Sequence, residues 1–519
     1  MMNFDDVYGS FPQDIIQCDY LVIGAGTRGM CFVDGLMLIN KTCTVVIVDE
    51  RESPGGQWHD APFFFKVGQT SLNYGCPSRK LESNRPKKEG DPPERATKAQ
   101  VLSYYDSVME DFISSGRVRY FPNCTANYEG TEIVSNVCGQ WTVIVHEKVV
   151  DTTYAQAQLP SCAHHQMPFK VHPGAMVVSP KGIASSGTAH LGYVVIGAGR
   201  VGMDTMLHLI DLGVPINRLH WVMPREFWWM NREILYPVNF IKSYTRFEDC
   251  LLECKSLEQM YLTLEKDGLV FRLDHSNFPK YFHGATITPT EFGKVRRIRN
   301  LIRMGHVREV TESQLVLDEG VYDTGKGTLC IDCTSTAIRS APPPIPIWSE
   351  KRITLQLFSQ IACAYGELNV ALCAAVTGYC EASLSDWKAN NARCDVTRWP
   401  DTIWDWEQIH YEHYSTIDSF LEDKKVQWKL LRTRPSNLAM LNGTELAHFS
   451  NIRQTKMVKR FSSKKNATLA RAAAAKVFME SRPPERLLSP PPLFKSTVHV
   501  SPERVAKSTQ TDPESEDEQ

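Results

Sequence analysis

Asp19-Tyr20-Leu21-Val22-Ile23-Gly24-Ala25-Gly26-Thr27-Arg28-Gly29 opens the stretch that decides the fold. The apolar run from Tyr20 to Ile23 breaks at the glycines, an apolar-rich stretch continues from Met30 to Ile39, and Thr44-Val45-Val46-Ile47-Val48 ends at Asp49. Strand, glycine turn, helix, strand and acid together make one complete nucleotide-binding unit. Gly24 permits the tight turn, Gly26 lets the backbone approach a pyrophosphate, and Gly29 lets helix pack on strand, while the helix N-terminus faces the anion. Asp49 stands where a carboxylate accepts hydrogen bonds from an adenosine ribose.

The pattern recurs from Tyr193. Tyr193-Val194-Val195-Ile196 leads into Gly197-Ala198-Gly199-Arg200-Val201-Gly202, then a helix to Leu212 and a strand Leu219-His220-Trp221-Val222. The position matching Asp49 has no acid here, and Met223-Pro224-Arg225 follows instead. A missing carboxylate and a guanidinium favour a 2′-phosphate, hence NADP over NAD. The plainer alternative is an Arg225 that caps a strand or faces solvent.

A chain of 519 residues is too long for one ordinary core. Its formal charge of −2 gives no overall pull toward nucleic acid or an anionic membrane. Met1 to Gln17 has neither the basic nor the apolar region of a signal peptide, and no apolar run approaches a membrane span, so the expectation is a soluble cytoplasmic protein. The 15 Cys are scattered and mostly set in apolar sequence, which suits reduced, buried thiols.

Between the two units, Ser53-Pro54-Gly55-Gly56-Gln57-Trp58 opens a loop-rich passage. Ala99 to Ser114 has helical spacing, and Val118 to Phe121, Glu132 to Val137 and Trp141 to Val145 are short β-rich runs. Beyond the second unit, Val307 to Val310, Gln314 to Leu317 and Thr328 to Ile331 are read as strands, the last returning to the first sheet and ending at Asp332-Cys333-Thr334. Asp332 is then placed either to reach a flavin or to make an ordinary turn. Ile353 to Ala382 is read as mainly helical. A basic stretch from Lys456 to Arg471 precedes a Pro- and Ser-rich segment, Ser481 to Gln519, that is expected to be disordered.

Two glycine fingerprints, with Gly55-Gly56-Gln57-Trp58 soon after the first acid, resemble the class B flavoprotein monooxygenases, especially the flavin-containing monooxygenases. The resemblance covers roughly Cys18 to Thr334. It implies an α/β fold of two dinucleotide-binding (Rossmann-type) domains, the NADP domain inserted into the FAD domain, to which the composition adds a disordered C-terminal tail. The corresponding boundaries are 18–190 for the first part of the FAD domain, 191–304 for the NADP domain, 305–450 for the returning part and a helical segment, and 451–519 for a basic helix and tail. By the same resemblance Gly24, Gly26, Gly29, Asp49, Gly56, Gln57 and Trp58 contact FAD, Gly197, Gly199, Gly202 and Arg225 contact NADPH, and Gln69 supplies an amide facing the flavin. The implied activity is NADPH-dependent oxygen transfer from molecular oxygen to a small-molecule substrate. The family signature FxGxxxHxxxW/Y is not met, and the nearest text is Phe169-Lys170-Val171-His172-Pro173-Gly174. The alternative is a nucleotide-sensing FAD/NADP-binding interaction protein without turnover.

Other features weigh less. Cys330-Ile331-Asp332-Cys333 is a CxxC that raises a dithiol reductase, though Cys330 sits inside an apolar strand. Phe227-Trp228-Trp229 reads as core more readily than as a stacking platform. His164-His165 has no partner at ligand spacing, so no metal site is expected. In the tail, Lys507-Ser508-Thr509-Gln510-Thr511 looks like the K-x-T-Q-T peptide bound by the dynein light chain, a segment that adds as a strand to a sheet edge.

Overall fold

β1 (Ile15–Ile23) is followed by α1 (Thr27–Ile39), β2 (Val45–Val48), α2 (Lys98–Ser114), β3 (Val118–Phe121), β4 (Cys124–Ala126), β5 (Glu132–Ser135) and β6 (Gln140–Asp151). This computed structural model describes residues 15–412 except 72–73, 77, 82–93, 138, 155–158, 163–164, 188–189, 237–238, 240–241, 244–245, 248, 251–252, 336–341, 359–369, 385 and 411. The basic stretch, the tail and the Lys507 to Thr511 motif lie outside the described residues.

These strands form one sheet in the order β3-β2-β1-β6-β5-β4. β3, β2, β1 and β6 run parallel, β6 pairing with β1 from Thr142 to Asp151, and β5 and β4 are the antiparallel meander at one side. All four residues of β2 are buried, as a parallel strand covered on both faces requires. α2 begins at a capping box in which Thr97 and Gln100 satisfy each other's backbone N–H groups.

The chain then makes β7 (Lys170–Val171), β8 (Met176–Val178), β9 (Gly192–Ile196), α3 (Arg200–Asp211), β10 (Leu219–Val222), β11 (Trp229–Asn231), α4 (Leu257–Lys266), β12 (Val270–Phe271), β13 (Thr286–Ile287), α5 (Pro289–Val295) and β14 (Asn300–Ile302). Next come β15 (Val307–Val310), β16 (Gln314–Leu317), β17 (Gly320–Asp323), β18 (Thr328–Asp332), β19 (Arg352–Thr354), α6 (Val370–Ser383) and α7 (Trp387–Arg393). A second, wholly parallel sheet has the order β14-β10-β9-β18-β8. β15, β16 and β17 form an antiparallel meander extended by β7, while β11, β12 and β13 form a small third sheet.

Two expectations are corrected here. β18 pairs with β9 and β8 in the second sheet, so it does not return to the first. The return is made by β19, which adds parallel to the end of β6 at Val149 to Asp151, at the start of the stretch read as mainly helical, whose last part does form α6. Ile353 is fully buried in the first core, and the free edge of β6 outweighs the weak local pattern of that passage. In chain order the second sheet therefore lies between β6 and β19 of the first.

α6 covers α1 at very short range. A β-carbon on Gly35 would lie 2.4 Å from the Ala375 carbonyl oxygen, and one on Gly378 would lie 2.4 Å from that of Phe32. Gly35→Ala should therefore lower stability by about 1–3 kcal/mol, the usual cost of overpacking, measurable as a drop in the denaturation midpoint. A buried ion pair ties the same helix to the sheet: Lys148 Nζ lies 2.6 Å from Glu381 Oε1, which also accepts the Tyr20 hydroxyl at 3.1 Å. No helix among the described residues is long and apolar enough to cross a membrane.

Candidate functional site

The first glycine turn joins β1 to α1 at the sheet's C-terminal edge, beside the point where neighbours lie on either side of β1. Gly24 has φ 105°, a conformation that favours glycine. A β-carbon on Gly29 would sit 2.0 Å from the Gly24 carbonyl oxygen, so only glycine lets α1 start this close to the turn. Gly56 packs on the turn in the same way, because a β-carbon there would meet Gly26 Cα at 2.8 Å. The GG-x-W loop and the fingerprint thus form one surface.

In front of that surface lies a cavity of about 380 Å³, lined by Gly24, Gly26, Asp49, Gly56, Gln57 and Trp58 among others. Six of the residues expected to hold one cofactor are therefore gathered around a single cavity. Asp49 Oδ2 accepts the Ala25 N–H at 2.6 Å, and Oδ1 accepts that of Arg51 at 2.9 Å. Burial raises the carboxyl above its ordinary value against those two bonds. Each oxygen keeps a second lone pair, so Asp49 can brace the turn and still accept from a ligand hydroxyl.

Sequence reasoning missed a buried hydroxyl network behind the loop. Trp58 Nε1 donates to the Tyr74 hydroxyl at 2.5 Å, Tyr74 and the Thr27 hydroxyl are 2.7 Å apart, and the Tyr105 hydroxyl donates to Thr27 at 2.9 Å. It fixes the Trp58 ring relative to the first residue of α1. No local signal marks it, since Tyr105 comes from the middle of α2.

The second turn repeats the first. Gly197 has φ 114°, and a β-carbon on Gly202 would meet the Gly197 carbonyl oxygen at 2.0 Å. Among the described residues nothing lies within 4 Å of a β-carbon placed on Gly199, so the turn faces open space where a phosphate group fits.

Arg225, just past the end of β10, is engaged within the protein. Its NH1 lies 3.0 Å and 3.3 Å from the two Asp401 oxygens, and its guanidinium stacks over Tyr281 with Cζ 4.4 Å from the ring centre. Asp401 Oδ1 also lies 2.5 Å from His283 Nε2. Burial alone would raise the Asp401 carboxyl, but the His283 bond and the Arg225 charge outweigh it and hold the group below its ordinary value.

Asp332 belongs to the second sheet and does not line the cavity of the first unit. Its Oδ1 accepts the backbone N–H and hydroxyl of Thr334, the turn reading, while Oδ2 pairs with His165 Nε2 at 2.8 Å in a buried setting. The turn contacts given as one alternative for Asp332 are therefore present, on a strand of the second sheet. Gln69 does not line the cavity either; the carbonyl of its neighbour Gly68 accepts from Arg232 Nε at 2.8 Å and from Thr286 Oγ1 at 2.9 Å.

The CxxC is not a dithiol centre. An offset of three along a strand puts two side chains on opposite faces, and Cys330 packs with Val194 and Val222 while Cys333 packs with Val195 and Trp221. Burial pushes the Cys330 thiol up to about 12 and raises that of Cys333, whose Sγ lies 3.4 Å from the Thr205 hydroxyl. Trp228 and Trp229 are core residues of two separate clusters, as expected for an aromatic run.

No known protein family's profile matches the chain. An uncharacterised protein of Mycobacterium tuberculosis strain H37Rv is 32% identical over 453 residues, 85% of this chain and 82% of its own length. An uncharacterised Mycobacterium bovis protein matches to the same extent. The chain belongs to the family of these mycobacterial proteins. The chain is similar to a flavin-containing monooxygenase from Stenotrophomonas maltophilia, with 14% identity, 72% of this chain and 99% of the other covered, and a TM-score of 0.40. Cyclohexanone monooxygenase gives 11% identity, 72% and 91% coverage and a TM-score of 0.44, and OTEMO in complex with FAD and NADP gives 13%, 72% and 86%, and 0.46.

Proposed function

We propose that this chain is an FAD- and NADPH-dependent oxidoreductase that transfers oxygen to a small organic substrate. The observation that carries the reading is the pair of matching glycine turns, in each of which a β-carbon on the third glycine would lie 2.0 Å from the turn carbonyl oxygen, the first opening on a cavity that Asp49, Gly56 and Trp58 also line. In this reading Gly24, Gly26 and Gly29 bind the FAD pyrophosphate, Asp49 accepts from its ribose, and Gly56, Gln57 and Trp58 lie along it. Gly197, Gly199 and Gly202 bind the NADPH pyrophosphate, and Arg225 lies toward its adenosine ribose. When bound, FAD supplies the electron and oxygen chemistry and the nicotinamide supplies the hydride. The protein's part is to orient the two groups and keep water out. Trp399, which also lines the cavity, is a shield contributed from late in the chain.

One observation favours the non-turnover alternative. The passage nearest the missing signature has structural roles, with Phe169 in the core of the second sheet and its meander, and His172 Nε2 2.5 Å from Glu309 Oε2. Oxygen uptake by the FAD-loaded chain with NADPH, measured across amines, sulfides and ketones, separates the two. Substrate-dependent uptake is the expected result; NADPH binding without sustained uptake on any of them would favour a sensor.

A further inference from the structure

The second unit lacks an acid at the end of β10, yet the folded chain restores one. Asp401 arrives from 176 residues further on and places its carboxylate against Arg225. It is held there firmly: the Phe282 N–H donates to the Asp401 carbonyl at 3.0 Å, and Asp405 accepts from the backbone N–H groups of Asp401 and Thr402 at 3.1 Å and 2.8 Å. Tyr281 and Phe227 flank the pair with their rings. The side chains of Arg225 and Asp401 are 19% and 29% exposed, so a ligand at the strand end can reach both.

The chemistry of the two nicotinamide dinucleotides differs at this place. The adenosine 2′-hydroxyl of NADH needs an acceptor, which a carboxylate provides; the 2′-phosphate of NADPH needs a cation and is repelled by a carboxylate. An Arg225 already neutralised by Asp401 is a weaker phosphate partner than a free guanidinium, and Asp401 is itself an acceptor for the hydroxyl.

We propose that Asp401 is a specificity-determining residue of the second unit, one that restrains the preference for NADPH given by Arg225 and lets the chain take NADH as well. This rests on the reading of the second glycine turn as a nicotinamide dinucleotide site. A 2′-phosphate that approaches Arg225 meets the Asp401 carboxylate held against its NH1, a like charge, whereas a 2′-hydroxyl donates to Asp401 with the ion pair intact. The geometry thus makes Asp401, and not Arg225 alone, the residue that sets the ratio of the two affinities.

The test is calorimetric titration of the full chain, loaded with FAD, by NADP⁺ and by NAD⁺. Wild type is expected to bind both. Asp401→Asn, nearly isosteric, should tighten NADP⁺ and weaken NAD⁺, moving the affinity ratio by roughly tenfold, the scale of one charge-assisted hydrogen bond. Asp401→Glu retains the charge and should keep a ratio near that of wild type, and retained FAD absorbance reports an intact fold in both variants. A ratio within twofold of wild type in Asp401→Asn, or weaker NADP⁺ binding there, would overturn the inference and leave Asp401 as a brace for Arg225. Binding of neither dinucleotide by wild type would overturn the reading of the second unit itself.

Discussion

Gly29→Ala should yield a folded chain that no longer retains FAD, whereas Gly202→Ala should keep FAD and lose the nicotinamide dinucleotide. In each case the added methyl would sit 2.0 Å from a backbone carbonyl oxygen, that of Gly24 or of Gly197. Neither turn has a flexible side chain that can yield, so the helix must move away from it. The backbone N–H groups that face the pyrophosphate are then displaced, and affinity falls by much more than the effect of one hydrogen bond, on the order of a hundredfold or greater. Flavin content by absorbance and dinucleotide affinity by titration distinguish the two variants. Loss of both ligands in both variants would mean that the substitutions act through global unfolding.

Glu407→Gln should stabilise the protein progressively as the pH is raised from 5 to about 8. Glu407 is fully buried, both of its carboxylate oxygens lack a hydrogen-bond partner among the described residues, and the His410 ring nitrogen is 3.8 Å away. Burial raises its carboxyl from the ordinary 4.5 to about 8. Between those two values the folded state holds a proton that the unfolded chain has released, so stability falls as pH rises through the window and levels off above it. A shift of that size corresponds to a loss on the order of 5 kcal/mol. The melting point of Glu407→Gln should therefore gain on that of wild type up to about pH 8 and keep a constant lead above it. A constant gap between the two melting curves would show that Glu407 does not titrate in this window.

Both nucleotide units were legible in the sequence because each is local. Strand, turn and helix lie within about 30 residues, and the glycine spacing reports a steric fact that holds wherever the motif occurs. Cys330 and Cys333 were legible in principle as well: the parity of a strand already separates their sulfurs, which leaves the dithiol reductase reading without a centre. β19 was not, because three residues with an ordinary pattern become a strand only when the edge of β6 is present to receive them. The Arg225–Asp401, His165–Asp332 and Lys148–Glu381 pairs span 176, 167 and 233 residues. No local periodicity encodes such partners, and the first changes the meaning of a site residue that had been read as a lone cation.

In the proposed reaction one chain brings a flavin and a nicotinamide dinucleotide into electronic contact. Anaerobic addition of NADPH to the purified, FAD-loaded full chain, followed by visible absorbance, tests it most directly. We expect about one FAD per chain and bleaching of the flavin band within the mixing time of a manual experiment. A chain that takes up no FAD, or one whose flavin band persists under saturating NADPH and NADH, would contradict the account.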